Sequence, residues 1–213
     1  MTRFTPPQVL TFRLGLRATA WLLLVVWLPP AIAATQEPQI MVREIFDELL
    51  TRLHEHEPDA ADNNAGVRDI FVSLLSPHIA YQTLARWILR DHWVDSSADQ
   101  QAAFIVAFEH YIISTYALAL SSGQAIQLDV ADEPVLGKNT AVVTAAFKFA
   151  DADAVPLDFR LIQRNEEWLL FDVSFSGVSL ARTFRADFNY VAKDGGIDAV
   201  TEHLERRRAS LLE

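Results

Sequence analysis

The chain has 213 residues, of which 51% are hydrophobic, and it carries a formal net charge of −10 at pH 7. A chain this acidic lacks the positive field that attracts nucleic acid or anionic lipid headgroups, so we expect no nucleic-acid partner. It contains no cysteine, which excludes disulfides and an N-terminal lipid anchor on cysteine. The fold must therefore be stabilised by packing alone.

The first 33 residues are typical of a cleaved secretory signal. The positive residues of this segment are Arg3, Arg13 and Arg17. They precede an apolar run over residues 20–28, which two prolines end, and small residues follow at Ala31 and Ala33. The alternative is a membrane anchor, but a span needs about 20 apolar residues and this run has about half of that. We expect cleavage near Ala33 and one exported domain over 34–213, with the loss of three arginines taking the charge from −10 to −13.

Apolar residues recur at helical spacing through the first half of the expected domain. The predicted helices cover residues 39–56, 67–75, 79–93 and 98–120. The last of these is apolar on almost every side, so we expect it to be buried on most of its surface.

The hydrophobic period falls to two after residue 123, which is typical of strands with one apolar face. The predicted strands cover residues 126–130, 140–149, 157–161 and 168–175. Short polar turns separate them, so they form a four-stranded antiparallel meander. Helices before and after the meander make the fold class α+β.

The stretch from Trp168 to Phe188 joins the last predicted strand to a helix with almost no loop. Gly177 permits the sharp turn, and Ser179 can cap the helix that follows. Arg182 stands where a full capping box has Glu or Gln, so only half of that motif is present. A final helix is predicted over residues 197–212. The apolar face of this strand and that of the helix after Ser179 must pack against each other or enclose a space between them.

Motifs for catalysis are absent from the sequence. None of the six histidines has a metal-binding spacing, and there is no cysteine, so we expect no metal and no cofactor. Gly177-Val178-Ser179 is not a nucleophile elbow, because the serine does not lie between two glycines. Gly195-Gly196 lacks the lysine of a phosphate-binding loop.

Aromatic residues are concentrated on the faces that the strands and helices turn towards each other. They are Phe147, Phe149, Phe159, Phe171 and Phe175 on the strands, and Phe104, Phe108, Tyr111, Tyr116, Phe184 and Phe188 on the helices. These rings either fill an ordinary core or line a cavity. Composition favours the filled core, and periodicity does not decide between the two.

Two blocks of the chain resemble the MlaC family, also called toluene-tolerance auxiliary proteins. One block runs from Asp172-Val173 through Gly177-Val178-Ser179-Leu180 to Arg185 and Phe188, and the other comprises 84–93, Gln100 or Gln101, Phe104, Phe108 and 116–120. The segment 196–204 fits as well. The chain departs from the usual pattern at Arg90, Ser176, Thr183-Phe184 and Ala186-Asp187. Arg90 stands where the family usually has glycine, and Ser176 where it usually has an acid, so these changes point to a divergent subfamily.

The resemblance implies a periplasmic phospholipid carrier and not an enzyme. Its partners would be phospholipid, an outer-membrane lipoprotein complex and an inner-membrane ABC transporter complex with an MCE-domain subunit. The implied fold is a strongly twisted meander packed against a helical subdomain, with an apolar pocket between them. The residues expected to bind lipid are Phe104, Phe108, Tyr111, Tyr116, Phe147, Phe159, Phe171, Val173, Val178 and Phe184.

Two other hypotheses remain open from the sequence. One is an enzyme on a curved-sheet cone that uses a pocket acid such as Asp172. The other is a secreted interaction protein whose core is filled and binds no ligand.

Overall fold

The computed structural model describes residues 36–56, 65–121, 125–149 and 152–211. The predicted signal segment, residues 1–33, lies outside these ranges. Within them, no helix combines the length and the hydrophobicity that a bilayer crossing requires.

The described residues contain seven α-helices. They are α1 (Pro38–Glu55), α2 (Ala65–Leu74), α3 (Tyr81–Leu89), α4 (Asp91–Val94), α5 (Ala98–Ser121), α6 (Leu180–Val191) and α7 (Gly196–Ala209). Single turns of 3-10 helix lie at Ser76–His78, between α2 and α3, and at Ala192–Asp194, between α6 and α7. The predicted helices all occur in these places, with one interruption.

The interruption is at Arg90, which ends α3 and precedes α4. Its backbone has φ 50° and ψ −112°, a combination that crowds the Cβ atom of an L-residue and that glycine adopts freely. The prediction of one continuous helix over residues 79–93 is therefore wrong. The break directs Trp93 into the helical core, where its side chain is 3% exposed.

The sheet is antiparallel and has six strands in the described residues. They are β1 (Ala125–Val130), β2 (Val135–Leu136), β3 (Thr140–Phe149), β4 (Ala152–Arg164), β5 (Glu167–Phe175) and β6 (Val178–Ser179). Their order is β1-β3-β4-β5-β6, and β2 also pairs with β3. The α+β class and the antiparallel sheet are confirmed, but the expected count of four strands is wrong. The two additional strands have only two residues each, too few to show a period of two in the sequence.

The pairing of β4 with β5 contains a β-bulge. Arg160 pairs with Asp172, whereas the adjacent Leu161 pairs with Leu170, so Phe171 is an extra residue on β5. The bulge reverses the alternation of side chains along the strand. Apolar residues alternate at Leu169, Phe171, Val173 and Phe175, which predicts that all four share one face. This prediction is wrong before the bulge, where Leu170 shares the core face.

Buried residues form three clusters. One lies between α1 and the sheet and includes Val42, Val143, Phe159 and Leu161. A second lies among the helices and includes Trp93, Phe104, Phe108, Phe188 and Leu204. A third joins α1, α2 and α5 through Leu49, Phe71 and Ala117.

Candidate functional site

A partly open cavity of about 340 Å³ lies where the sheet faces the helices. Its lining residues are Phe46, Phe71, Leu75, Ser76, Ile79, Tyr81, Leu84, Ile112, Ile113, Tyr116, Phe147, Leu157, Phe159, Leu170, Phe171, Asp172, Val173, Phe175, Leu180, Ala181 and Phe184. Most of them are aliphatic or aromatic. The volume is within the range of about 300–1,000 Å³ that is usual for small-molecule sites.

The β-bulge shapes the sheet wall of this cavity. Leu170 and Phe171 are neighbours in sequence, yet both line the cavity. In an unbroken strand, successive side chains point to opposite faces, so the extra residue of the bulge helps to bring both to one wall. The Ala80 amide donates a hydrogen bond to the Leu170 carbonyl over 2.8 Å, which attaches the start of α3 to the same wall.

Aromatic contacts connect the cavity wall to the two neighbouring cores. The ring centroid of Phe46 on α1 lies 5.1 Å from the ring centroid of Phe159 and 6.0 Å from that of Phe147. On the helical side, the ring of Phe184 lies 5.3 Å from Phe108 and 5.5 Å from Phe188. Phe184 therefore borders the cavity on one side and the packed helical core on the other.

The two tyrosines of the wall are neutral at physiological pH. Burial raises the pKa of Tyr81 to about 12, and the charge of Glu109 acts in the same direction while the hydrogen bond to Ser76 opposes it. Burial also raises the pKa of Tyr116 to about 12, with a smaller contribution from Tyr111. Each phenol therefore offers hydrogen bonding without charge.

Among the described residues, Asp172 is the one acidic residue that lines the cavity, and its carboxylate is hydrogen bonded within the fold. Oδ2 accepts a hydrogen bond from Ser179 Oγ over 2.6 Å, and Oδ1 accepts one from the Ala181 amide over 3.0 Å. Arg160 Nε lies 3.7 Å from Oδ2. The carboxylate therefore binds the first turn of α6, where a negative charge is favoured.

Six of the ten residues expected to bind lipid line the cavity. They are Tyr116, Phe147, Phe159, Phe171, Val173 and Phe184. Phe104, Phe108 and Tyr111 are instead buried in the helical core, and Val178 is 63% exposed. The contact of any of them with lipid stays a prediction. Adjacent faces of α5 meet the helical core and the cavity, and an all-round apolar helix gives no sequence signal to separate them.

Several lining residues were not among those expected to bind lipid. Ile112, on α5, could have been found because it lies one turn before Tyr116 on the same stripe. Phe46 and Phe71 come from α1 and α2, and nothing in their local sequence shows that these helices reach the cavity. Among the described residues, no group of three or more histidine, aspartate or glutamate side chains could hold a metal ion.

The fold and the site define a class: α+β proteins with an apolar ligand cavity between an antiparallel sheet and a layer of helices. The family model described as MlaC protein matches residues 43–206. The chain belongs to the MlaC family, and the family predicted from the residues is confirmed.

A similar solved structure is the phospholipid-binding protein from Ralstonia solanacearum in complex with a phospholipid. The two chains are 22% identical, with a TM-score of 0.71, and the match covers 84% of this chain and 100% of the other. At this identity the likeness shows a common fold.

Proposed function

We propose that the protein is a phospholipid carrier that encloses acyl chains in the cavity between its sheet and its helices. The observation that carries this proposal is the cavity of about 340 Å³ with its almost wholly apolar wall. Membership of the MlaC family supports it, as does the phospholipid bound to the similar Ralstonia protein.

The need for a carrier follows from the hydrophobic effect. A diacyl phospholipid has roughly 30 methylenes, and at about 0.8 kcal/mol each their exposure to water costs on the order of 20 kcal/mol. A protein that moves such a lipid through water must cover this surface with apolar side chains. Rings such as Phe159 and Phe171 provide that cover without a buried charge to desolvate.

The proposed location is the periplasm, and the support is the signal-like segment over residues 1–33. There the protein would shuttle phospholipid between an outer-membrane lipoprotein complex and an inner-membrane ABC transporter complex with an MCE-domain subunit. Family membership supports these partners.

Carriage of lipid requires no bond to be made or broken. The enzyme hypothesis assigned the pocket acid to Asp172, whose carboxylate is engaged by Ser179, Ala181 and Arg160. We therefore favour a binding role for the cavity.

Lipid extraction from the purified full chain tests the proposal. We expect mass spectrometry of the organic extract to show phospholipid in a fixed molar ratio to protein. Val173→Trp places a large ring in the cavity wall and should strongly reduce the bound lipid. Val135→Trp makes the same replacement on β2, where Val135 is 71% exposed, and should retain it.

Circular dichroism and the denaturation midpoint would show whether both variants are folded. Folded wild-type protein that carries no phospholipid would contradict the proposal. So would a folded Val173→Trp variant that binds as much lipid as Val135→Trp.

A further inference from the structure

A chain of three polar side chains interrupts the apolar wall of the cavity. Ser76 and Tyr81 line the cavity, and the Ser76 hydroxyl is 3.0 Å from the Tyr81 hydroxyl. The Ser76 hydroxyl also donates a hydrogen bond to Glu109 Oε1. The chain therefore runs from the cavity surface at Tyr81, through Ser76, to the carboxylate of Glu109 on α5.

The hydrogens in this chain have one possible order while Glu109 is ionised. Ser76 has a single hydroxyl hydrogen, and the carboxylate of Glu109 takes it because a carboxylate only accepts. Tyr81 must then donate its own hydrogen to Ser76. The phenolic oxygen of Tyr81 is left with lone pairs and no hydrogen to offer, so the chain meets a ligand as an acceptor.

Glu109 forms no ion pair with another described residue. A negative charge and a phenolic acceptor on a residue of the cavity wall together favour a hydrogen-bond donor or a cation at this point. They disfavour a group that only accepts.

The chain also marks one end of the helical wall. Glu109, Ile112 and Tyr116 follow at spacings of three and four, so they share one stripe of α5. At 1.5 Å per residue, Glu109 and Tyr116 are separated by roughly 10 Å along the helix axis. The stripe between them is apolar, as acyl chains require. The polar side chains therefore lie at one end of this stripe, and the apolar surface continues from them along α5.

We propose that Tyr81, Ser76 and Glu109 form a recognition site for the donor-bearing headgroup of the bound phospholipid, such as an ammonium with N–H groups. This inference rests on the proposed function. It predicts preference for an ethanolamine headgroup over a choline headgroup, because the two carry the same charge and only ethanolamine has N–H donors.

Competition between two matched lipids tests this site. The delipidated full chain is incubated with vesicles that contain equal amounts of dioleoyl phosphatidylethanolamine and dioleoyl phosphatidylcholine, then separated and extracted. We expect bound ethanolamine lipid to exceed bound choline lipid roughly tenfold, as one hydrogen bond to a charged group allows. The mono- and dimethylated ethanolamine lipids should fall between the two.

Two variants connect the preference to these side chains. Glu109→Gln removes the charge, and Tyr81→Phe removes the acceptor that faces the cavity, so each should bring the ratio towards that of the vesicles. Glu205→Gln removes an exposed carboxylate on α7, and it should keep the wild-type ratio.

The outcomes separate this inference from the proposed function. Wild-type protein that takes up neither lipid contradicts the proposed function itself. Protein that takes up both in the vesicle ratio leaves the carrier proposal standing and overturns the recognition site. A preference for ethanolamine lipid that persists in folded Glu109→Gln and Tyr81→Phe also overturns the recognition site. These two side chains would then have a structural role only.

Discussion

The hydroxyl of Ser179 at the end of β6 donates a 2.6 Å hydrogen bond to the carboxylate of Asp172 on β5. Ser179 Oγ also accepts a hydrogen bond from the Arg182 amide over 3.1 Å, so one serine caps α6 and holds it to the sheet. Leu180, Ala181 and Phe184 follow at once and line the cavity. This pair therefore fixes how the helix meets the sheet wall.

Asp172→Asn should lower the free energy of unfolding by about 1–3 kcal/mol, because hydrogen bonds to a charged acceptor are replaced by weaker ones. The midpoint of urea denaturation measures the change. Asp153→Asn, at an exposed position of β4, is the matched control and should leave the midpoint almost unchanged. Equal midpoints for the two variants would show that the Asp172 contacts do not stabilise the fold.

Arg90→Gly should raise the free energy of unfolding by about 1 kcal/mol, because glycine adopts a positive φ without steric cost. Arg86→Gly, at an exposed position within α3, is the control. This variant should lower the free energy of unfolding by about 1 kcal/mol, since glycine weakens a helix interior. Thermal denaturation of both variants measures the difference. Destabilisation by Arg90→Gly would contradict the strain argument.

Local patterns were sufficient to predict much of the fold. The cap at Ser179 and the turn at Gly177 follow from residue types at fixed spacing, and the structure has both. The break at Arg90 could not be read from local propensity, because arginine is a good helix former. The signal there was the departure from the family's glycine.

The cavity depended on features that a single sequence does not record. The bulge at Phe171 moves Leu170 to the cavity wall, whereas alternation alone predicts that Leu169 lies on that face. Phe104 and Tyr116 both lie on an all-round apolar helix, yet only Tyr116 reaches the cavity. The packing of α6 and α7 against α5 decides which face of α5 lies in the filled core. Both helices are far from α5 in the sequence.

The stability of the protein should fall as the pH rises from 10 to 12. The pKa values of Tyr81 and Tyr116 are raised from 10.0 to about 12 in the folded state. Below pH 10 both phenols keep their protons in either state, so their contribution is complete. Above pH 10 the two phenols ionise in the unfolded chain before they ionise in the folded protein. Each tyrosine therefore lowers the free energy of unfolding by about 2 kcal/mol by pH 12.

Denaturation curves across this pH range measure the loss. Tyr81→Phe and Tyr116→Phe should each make the dependence shallower by a similar amount. At neutral pH they should differ, because Tyr81 is hydrogen bonded to Ser76 and its loss should cost about 1 kcal/mol more. A slope that neither substitution alters would contradict the burial of these hydroxyls.

Export should remove the first 33 residues. Expression of the full chain in a Gram-negative host should give a periplasmic protein whose intact mass begins at Ala34, as the small residues at Ala31 and Ala33 predict. Replacement of Ala33 by Arg should block cleavage and retain the uncleaved chain at the membrane. An uncleaved wild-type protein in the cytosol would contradict the predicted signal.

The most direct measurement of the central claim is photocrosslinking with a phospholipid that carries a diazirine on its acyl chain, followed by peptide mapping. If acyl chains occupy the cavity, the labelled residues will be those of its wall, such as Phe159, Phe171 and Phe184. Phe104, which is fully buried in the helical core, should remain unlabelled. Labels confined to exposed residues such as Val94 and Val135 would contradict the account, because the lipid would then lie on the surface of the protein and not inside it.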